Sequence, residues 1–212
     1  MVDTDEEVIK AVRTLLRTGA DVIKVCTTGG ISTPTDSPDD LGLSEQQVRL
    51  IASEVARRGG RAIAAHAQGH EGAMAAVLGG TTSLEHGYEM SDALITEMLA
   101  RGTVLVPTLS TLSMTPDPAV KPAEVVAKKL EWQVRGRDAA ARAIAAGVPV
   151  ALGTDAGIHP QGQNLAEPRP PRQRGHVTSG RHSCGHSRRC PPPGPRGPPR
   201  DRRRGQGSPT WS

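Results

Sequence analysis

The chain has 212 residues and a formal net charge of +4. It has no Phe, one Tyr and two Trp, so any core must be built from Ala, Val, Leu and Ile, and an aromatic-rich binding surface is not expected. No apolar run approaches the roughly 18 residues of a membrane-spanning helix. The acidic start after Met1 does not read as a secretory signal, and Cys26, Cys184 and Cys190 make no disulfide framework, so a cytoplasmic chain without a membrane partner is the expectation.

The net charge conceals two unlike segments. Residues 1–166 carry 15 Lys and Arg against 20 Asp and Glu, whereas residues 167–212 carry 11 Arg, no Lys and only Glu167 and Asp201 as acids. The second segment also holds ten of the 18 prolines and no Leu, Ile or Met. Such a composition cannot bury enough surface to offset its ordering entropy, so residues 167–212 are expected to be a disordered basic tail and residues 1–166 the folded body.

The body alternates helices and strands. Thr4 and Glu7 form a capping box, Val8, Val12, Leu15 and Leu16 follow at helical spacing, and Gly19 stops that helix. Val22–Cys26 is a short strand. Ser44 and Gln47 form a second box, with Leu43 stapled against Val48, and this helix runs to about Arg58. Residues 61–67 are the next strand, 72–78 a helix and 82–86 a strand. Ser91 caps a helix to Ala100, 103–109 is a strand, a long helix spans about 122–146, and 148–154 is the last strand. Five strands with a helix between each pair imply right-handed crossovers and a parallel α/β sheet, either open or part of a barrel.

Chemistry gathers at the strand ends, where parallel α/β folds bind their ligands. Lys24 interrupts an apolar strand, His66 and His86 close two more, and Asp155 follows the last. Taken singly, a strand-end histidine is usually a hydrogen-bonded structural residue, the lysine can extend its ammonium to water, and the aspartate can be a turn residue. Two imidazoles, a carboxylate and a lysine converging at one mouth are what a hydrolytic metal site needs.

The strings Ala20-Asp21-Val22-Ile23-Lys24-Val25 with Thr28-Gly29-Gly30, Ala65-His66-Ala67, Leu84-Glu85-His86-Gly87 and Leu152-Gly153-Thr154-Asp155-Ala156-Gly157 resemble the metal-dependent amidohydrolase superfamily, in its imidazolonepropionase-like and prolidase-like branch. The resemblance covers about residues 4–166. It implies a partial (β/α)8 TIM-type barrel, about strands four to eight, and hydrolysis of a C–N amide bond in a small-molecule or dipeptide-like substrate by metal-activated water. Lys24 would be N6-carboxylated and would ligate one or two divalent metals, zinc first among them, together with His66, His86 and Asp155. Asp155 would also be the catalytic general base. Gln68, Tyr88 and His159 would bind substrate. The family's first-strand His-x-His pair is absent from this sequence, and Gln68 and Gln161 stand where the branch often has histidine.

Because of those absences, the alternatives are a non-catalytic fragment or a basic-tailed polyanion-binding protein. The tail has none of the helices the family would place there, and its composition is what a frameshift in a GC-rich gene would produce. Read one nucleotide later, permitted codons for His182–His186 encode Ile-Arg-Ala-Ala-Thr, a phrase expected of the family's next helix. His182, Cys184, His186 and Cys190 are spaced too tightly for an ordinary zinc finger. The arginines would support only salt-sensitive polyanion binding, so nucleic acid is not the expected partner.

Overall fold

The computed structural model describes residues 2–114 and 116–158. Capping chemistry sets the helix starts. In α1 (Asp5–Arg17) the Thr4 hydroxyl accepts from the Glu7 N–H, while the Glu7 carboxylate accepts from the N–H groups of Asp3 and Thr4 at 2.8 and 3.2 Å. Those two amides hold the Glu7 carboxyl below its ordinary pKa. The same box, Ser44 with Gln47, opens α2 (Glu45–Ala56). Ser91 caps α4 (Asp92–Arg101), and Gly102 closes it in the left-handed conformation. α3 (His70–Gly79) begins two residues earlier than its composition suggests, because Gly69 takes the N-cap position. Arg13 grips Glu54 through two hydrogen bonds of 2.7 and 2.9 Å and so ties α1 to α2.

β1 (Val22–Cys26), β2 (Ala62–Ala67), β3 (Ser83–His86) and β4 (Val104–Val106) form one parallel sheet in the order β1-β2-β3-β4. Each strand lies beside the one before it, so every crossover steps the same way and the helices collect on one face. On that face Ile23, Val25, Ile63, Ala65, Ala67, Leu84 and Leu105 are buried with Val8, Val12, Ile51, Val77, Leu94 and Met98 from the helices. The alternate residues face the other way. Val22, Lys24 and Cys26 are exposed there, and Ala62, Ala64, His66, Ser83 and Glu85 are half-buried. The registers Lys24↔Ala64, Cys26↔His66 and His66↔Glu85 set these residues side by side.

Two expectations change at the C-terminal side. The strand expected over 103–109 is only Val104–Val106: Pro107 has no N–H to give the ladder, Thr108 turns left-handed (φ 48°), and Leu109–Ser113 forms a short helix, α5. The fifth strand expected over 148–154 is reduced to one parallel bridge, Leu105↔Val150. It is made by Leu105 N–H to the Pro149 carbonyl (2.8 Å) and Ala151 N–H to the Leu105 carbonyl (2.9 Å), and Pro149 can give no donor of its own. Between these lies α6 (Ala123–Ala145), close to its expected span. A second apolar cluster, Ile31, Tyr88, Leu112 and Trp132, gathers residues that follow the strands. The tail, His159, Gln161 and the four tail zinc candidates lie outside the described residues.

Candidate metal and catalytic site

The site is built on the segments just beyond the strand ends. After β1 the chain folds back on itself, with Gly29 N–H to the Asp40 carbonyl (2.9 Å) and Gly42 N–H to the Thr27 carbonyl (3.0 Å). Lys128 of α6 reaches over to donate to the carbonyls of Thr33 and Asp36. Gly29 is held tightly enough that a Cβ there would overlap Asp36 Oδ1. Its carbonyl thereby becomes a fixed acceptor, and it takes His66 Nε2–H at 3.2 Å. A carbonyl can only accept, so this bond keeps the His66 proton on Nε2 and leaves Nδ1 open.

His86 arrives differently. Strict alternation along β3 would send it toward the helices beside Leu84, but its backbone is left-handed (φ 75°). The imidazole instead lies edge-on to His66, with ring centroids 4.5 Å apart and planes at 72°. His86 Nδ1 meets Thr108 Oγ1 at 2.8 Å, and the same hydroxyl meets the Tyr88 hydroxyl at 2.9 Å. No described hydrogen bond claims His86 Nε2.

Burial is the first cause that lowers both imidazole pKa values. For His66 the Gly29 bond opposes it and the Lys24 ammonium adds to it. For His86, which falls well below the usual 6.5, His66, Lys24 and Lys129 add to it. Both rings are therefore neutral at pH 7, the form that binds metals. Lys24 is exposed on the same sheet face, two residues from the Cys26↔His66 pair. Asp155 is exposed, has a left-handed backbone (φ 54°) and is close enough to act electrostatically on His66 and Lys129. The structure thus brings His66 and His86 into contact, with Lys24 and Asp155 in electrostatic range.

The remaining candidates take other places. Gln68 is buried; its N–H donates to the Thr28 hydroxyl at 2.9 Å, and its Oε1 has no hydrogen-bond partner among the described residues. Tyr88 is 1% exposed; its ring packs in the second apolar cluster and its hydroxyl meets Thr108 Oγ1 at 2.9 Å. A groove of about 380 Å³ between the β3–α4 segment and α6 is lined by Tyr88 with His70, Glu89, Asp138, Arg135 and Arg142, and includes neither His66 nor His86.

Two participants escape a reading of the sequence alone. Lys129 sits beside Lys128 in a charged helix, which reads as solvated surface. It falls, however, on the stripe Val125, Trp132, Gly136, Ala139 and Ala143 that α6 buries. Its ammonium donates to the Thr111 carbonyl at 2.8 Å, and burial lowers its pKa to about 8 against the pull of Asp155. Helical periodicity is the signal that could find it. Thr108, expected within a strand, carries no such signal.

Among the described residues, no three His, Cys, Asp or Glu side chains lie close enough to share a metal ion. The donor chemistry of the histidine pair nonetheless fits a divalent cation. Each ring has one nitrogen anchored on a protein oxygen and the other open, which is how ligating histidines are oriented. Lys24 is an amine whose reaction with CO2 would supply an anionic oxygen.

The sequence model of the amidohydrolase family matches residues 1–179, so the chain belongs to that family. Ochratoxinase of Aspergillus niger is 36% identical over 159 residues, which are 73% of this chain and 32% of that protein. Its crystal structure superposes with a TM-score of 0.66. A Xaa-Pro dipeptidase crystallised with methionine in its active site is 31% identical with a TM-score of 0.71, over 78% of this chain and 41% of that one. A prolidase complexed with N-methylphosphonate-L-proline is 33% identical with a TM-score of 0.65, over 73% and 38%. The chain spans about a third of the length of the curated relatives it matches.

Proposed function

We propose that the chain carries part of the active site of a metal-dependent hydrolase that cleaves a C–N amide bond in a small, dipeptide-like substrate. The observation that carries this reading is the His66–His86 pair: neutral rings in contact, anchored through opposite nitrogens, with Nδ1 of one and Nε2 of the other open. The prolidase and Xaa-Pro dipeptidase among the similar structures support the substrate class. β1–β4 and the Val150 bridge would be strands four to eight of a (β/α)8 barrel, and the exposed sheet face would be its interior.

His66, His86, Lys24 in carboxylated form and Asp155 would hold the ion. A bound divalent metal would lower the pKa of water and polarise the amide carbonyl. Asp155 would accept a proton from the attacking water as its oxygen bonds to the carbonyl carbon. The same carboxyl would return that proton to the nitrogen as the C–N bond breaks. Gln68 Oε1 offers a buried acceptor for a substrate N–H. His159 is proposed as a further substrate contact on sequence grounds alone.

The test is metal uptake and then turnover. After loading with zinc, manganese or cobalt, one or two ions per chain are expected, and His66→Ala or His86→Ala should each lower retention by at least tenfold. Hydrolysis of Xaa-Pro dipeptides that a chelator abolishes would support the full reading. Metal uptake that both substitutions leave unchanged would sink it. The absence of a three-residue metal cluster among the described residues favours a second reading, that the chain alone is a non-catalytic fragment. Metal uptake without turnover is its expected signature.

A further inference from the structure

The His86 ring is held by the hydroxyl of Thr108, a residue outside every expected site role, and that hydroxyl is in turn held by Tyr88, expected from the sequence to meet substrate. Thr108 Oγ1 lies 2.8 Å from His86 Nδ1 and 2.9 Å from the Tyr88 hydroxyl. All three residues are buried, at 5%, 3% and 1% exposure for His86, Thr108 and Tyr88. His86 and Thr108 both have left-handed backbones, at φ 75° and 48°, which a histidine and still more a β-branched threonine adopt at a cost. Both turns come where a strand stops: His86 closes β3 as the register partner of Ala67, and Thr108 lies beyond β4, which ends at Val106. What they bring about is this contact between side chains from two strand ends.

Tyr88 is itself fixed from behind. α6 crosses it at Gly136, where a Cβ would come within 2.9 Å of Tyr88 Cδ1 and 2.6 Å of Leu112 Cδ2. Glycine in a helix interior carries a cost relative to alanine. The close approach of Tyr88 is the physical reason for that cost here. A connected series therefore runs from α6 through the Tyr88 ring and the Thr108 hydroxyl to His86 Nδ1.

We infer that Thr108, oriented by Tyr88, is the positioning residue that keeps His86 in the Nδ1–H tautomer and turns Nε2 toward the open sheet face. In this arrangement His86 Nδ1–H donates to Thr108 Oγ1, and the threonine hydroxyl in turn donates to the Tyr88 oxygen. The Nε2 lone pair, rather than an N–H, then faces the side that carries the Lys24 ammonium. His66, held by the Gly29 carbonyl, takes the opposite tautomer. The two rings, with centroids 4.5 Å apart, thus each keep one nitrogen tied to oxygen and a lone pair on the other. The tautomer is what is inferred: the contacts fix which nitrogen is tied, and a hydroxyl can donate or accept there. Its use in holding a cation rests on the function proposed above.

Ring-nitrogen NMR of the metal-free full chain, at a pH where both histidines are neutral, tests this directly. Wild-type His86 should be protonated on Nδ1 and His66 on Nε2. Thr108→Val, which keeps the shape and removes the hydroxyl, should shift His86 toward a mixture of tautomers and leave His66 unchanged. Thr108→Ser should restore the wild-type pattern. Tyr88→Phe should produce a smaller shift of the same kind, and it serves as a second variant if Thr108→Val does not fold. Zinc affinity measured by chelator competition should fall about 10- to 100-fold in Thr108→Val and recover in Thr108→Ser. A wild-type His86 protonated on Nε2, or a Thr108→Val spectrum identical to wild type, overturns the inference. If the wild-type chain shows the expected tautomers but takes up no zinc, the metal reading fails and the positioning stands.

Discussion

His66 and His86 stay neutral at pH values where an exposed histidine would begin to charge. In the unfolded chain both return to about 6.5. Below that pH the unfolded state binds protons that the native state does not, so stability falls as pH drops. Each histidine contributes at most about 1.4 kcal/mol per pH unit. Urea unfolding should give a clearly lower midpoint at pH 5 than at pH 7, and the difference should shrink in His86→Gln. Lys129 works in the opposite window. Its native pKa of about 8 lies below the ordinary 10.5, so its burial penalty is fully present below pH 8 and is relieved as pH rises toward 10.5. Lys129→Met exchanges a buried ammonium for an apolar chain and leaves the Thr111 carbonyl without that donor. It should stabilise the fold at pH 7 by about 1 kcal/mol. It should also remove the rise in stability between pH 8 and 10; persistence of that rise would assign it to another group.

At the scale of elements, α6 decides the most. It carries Lys128 to the loop after β1, Lys129 to α5, Trp132 to the second apolar cluster, and Gly136 to Tyr88. Helix propensity alone says Gly136→Ala should stabilise by about 1 kcal/mol. The contacts reverse that sign. A methyl group 2.6–2.9 Å from Leu112 and Tyr88 must push α6 or α5 outward, and overpacking of this kind costs about 1–3 kcal/mol. Thermal unfolding of Gly136→Ala should therefore show a lower midpoint than wild type. A higher midpoint would mean that Tyr88 relaxes freely and that α6 does not hold it.

For the molecule as a whole, the described residues form a sheet with one face covered by helices and the other open. Val22 on the edge strand β1 is 46% exposed, and Leu152 beyond the last bridge is 58% exposed. No described strand pairs with the outer edge of β1. An exposed strand edge next to apolar side chains invites pairing with another chain. Sedimentation velocity on this chain should therefore show association that grows with concentration. Val22→Lys, which places a charge on that edge, should reduce it. Equal association by both proteins would locate the contact elsewhere.

Local chemistry, legible without any coordinates, specifies much of this fold. The two capping boxes at Thr4 and Ser44, the Ser91 cap, the glycine stops and the β-branched run Val22–Cys26 each depend on a few neighbouring residues, and each appears where the pattern puts it. The four strand-end motifs are enough to identify the family, because their order and residue types survive in the linear chain. Where the pattern fails, a proline intervenes: Pro107 and Pro149 withhold N–H donors, and periodicity does not register a missing donor. Nor could one dimension show that β3 turns left-handed at His86 or that Thr108 does the same beyond another strand. Those facts arise from contacts between residues some 20 or more positions apart. Which nitrogen of each histidine is left open is consequently a property of packing.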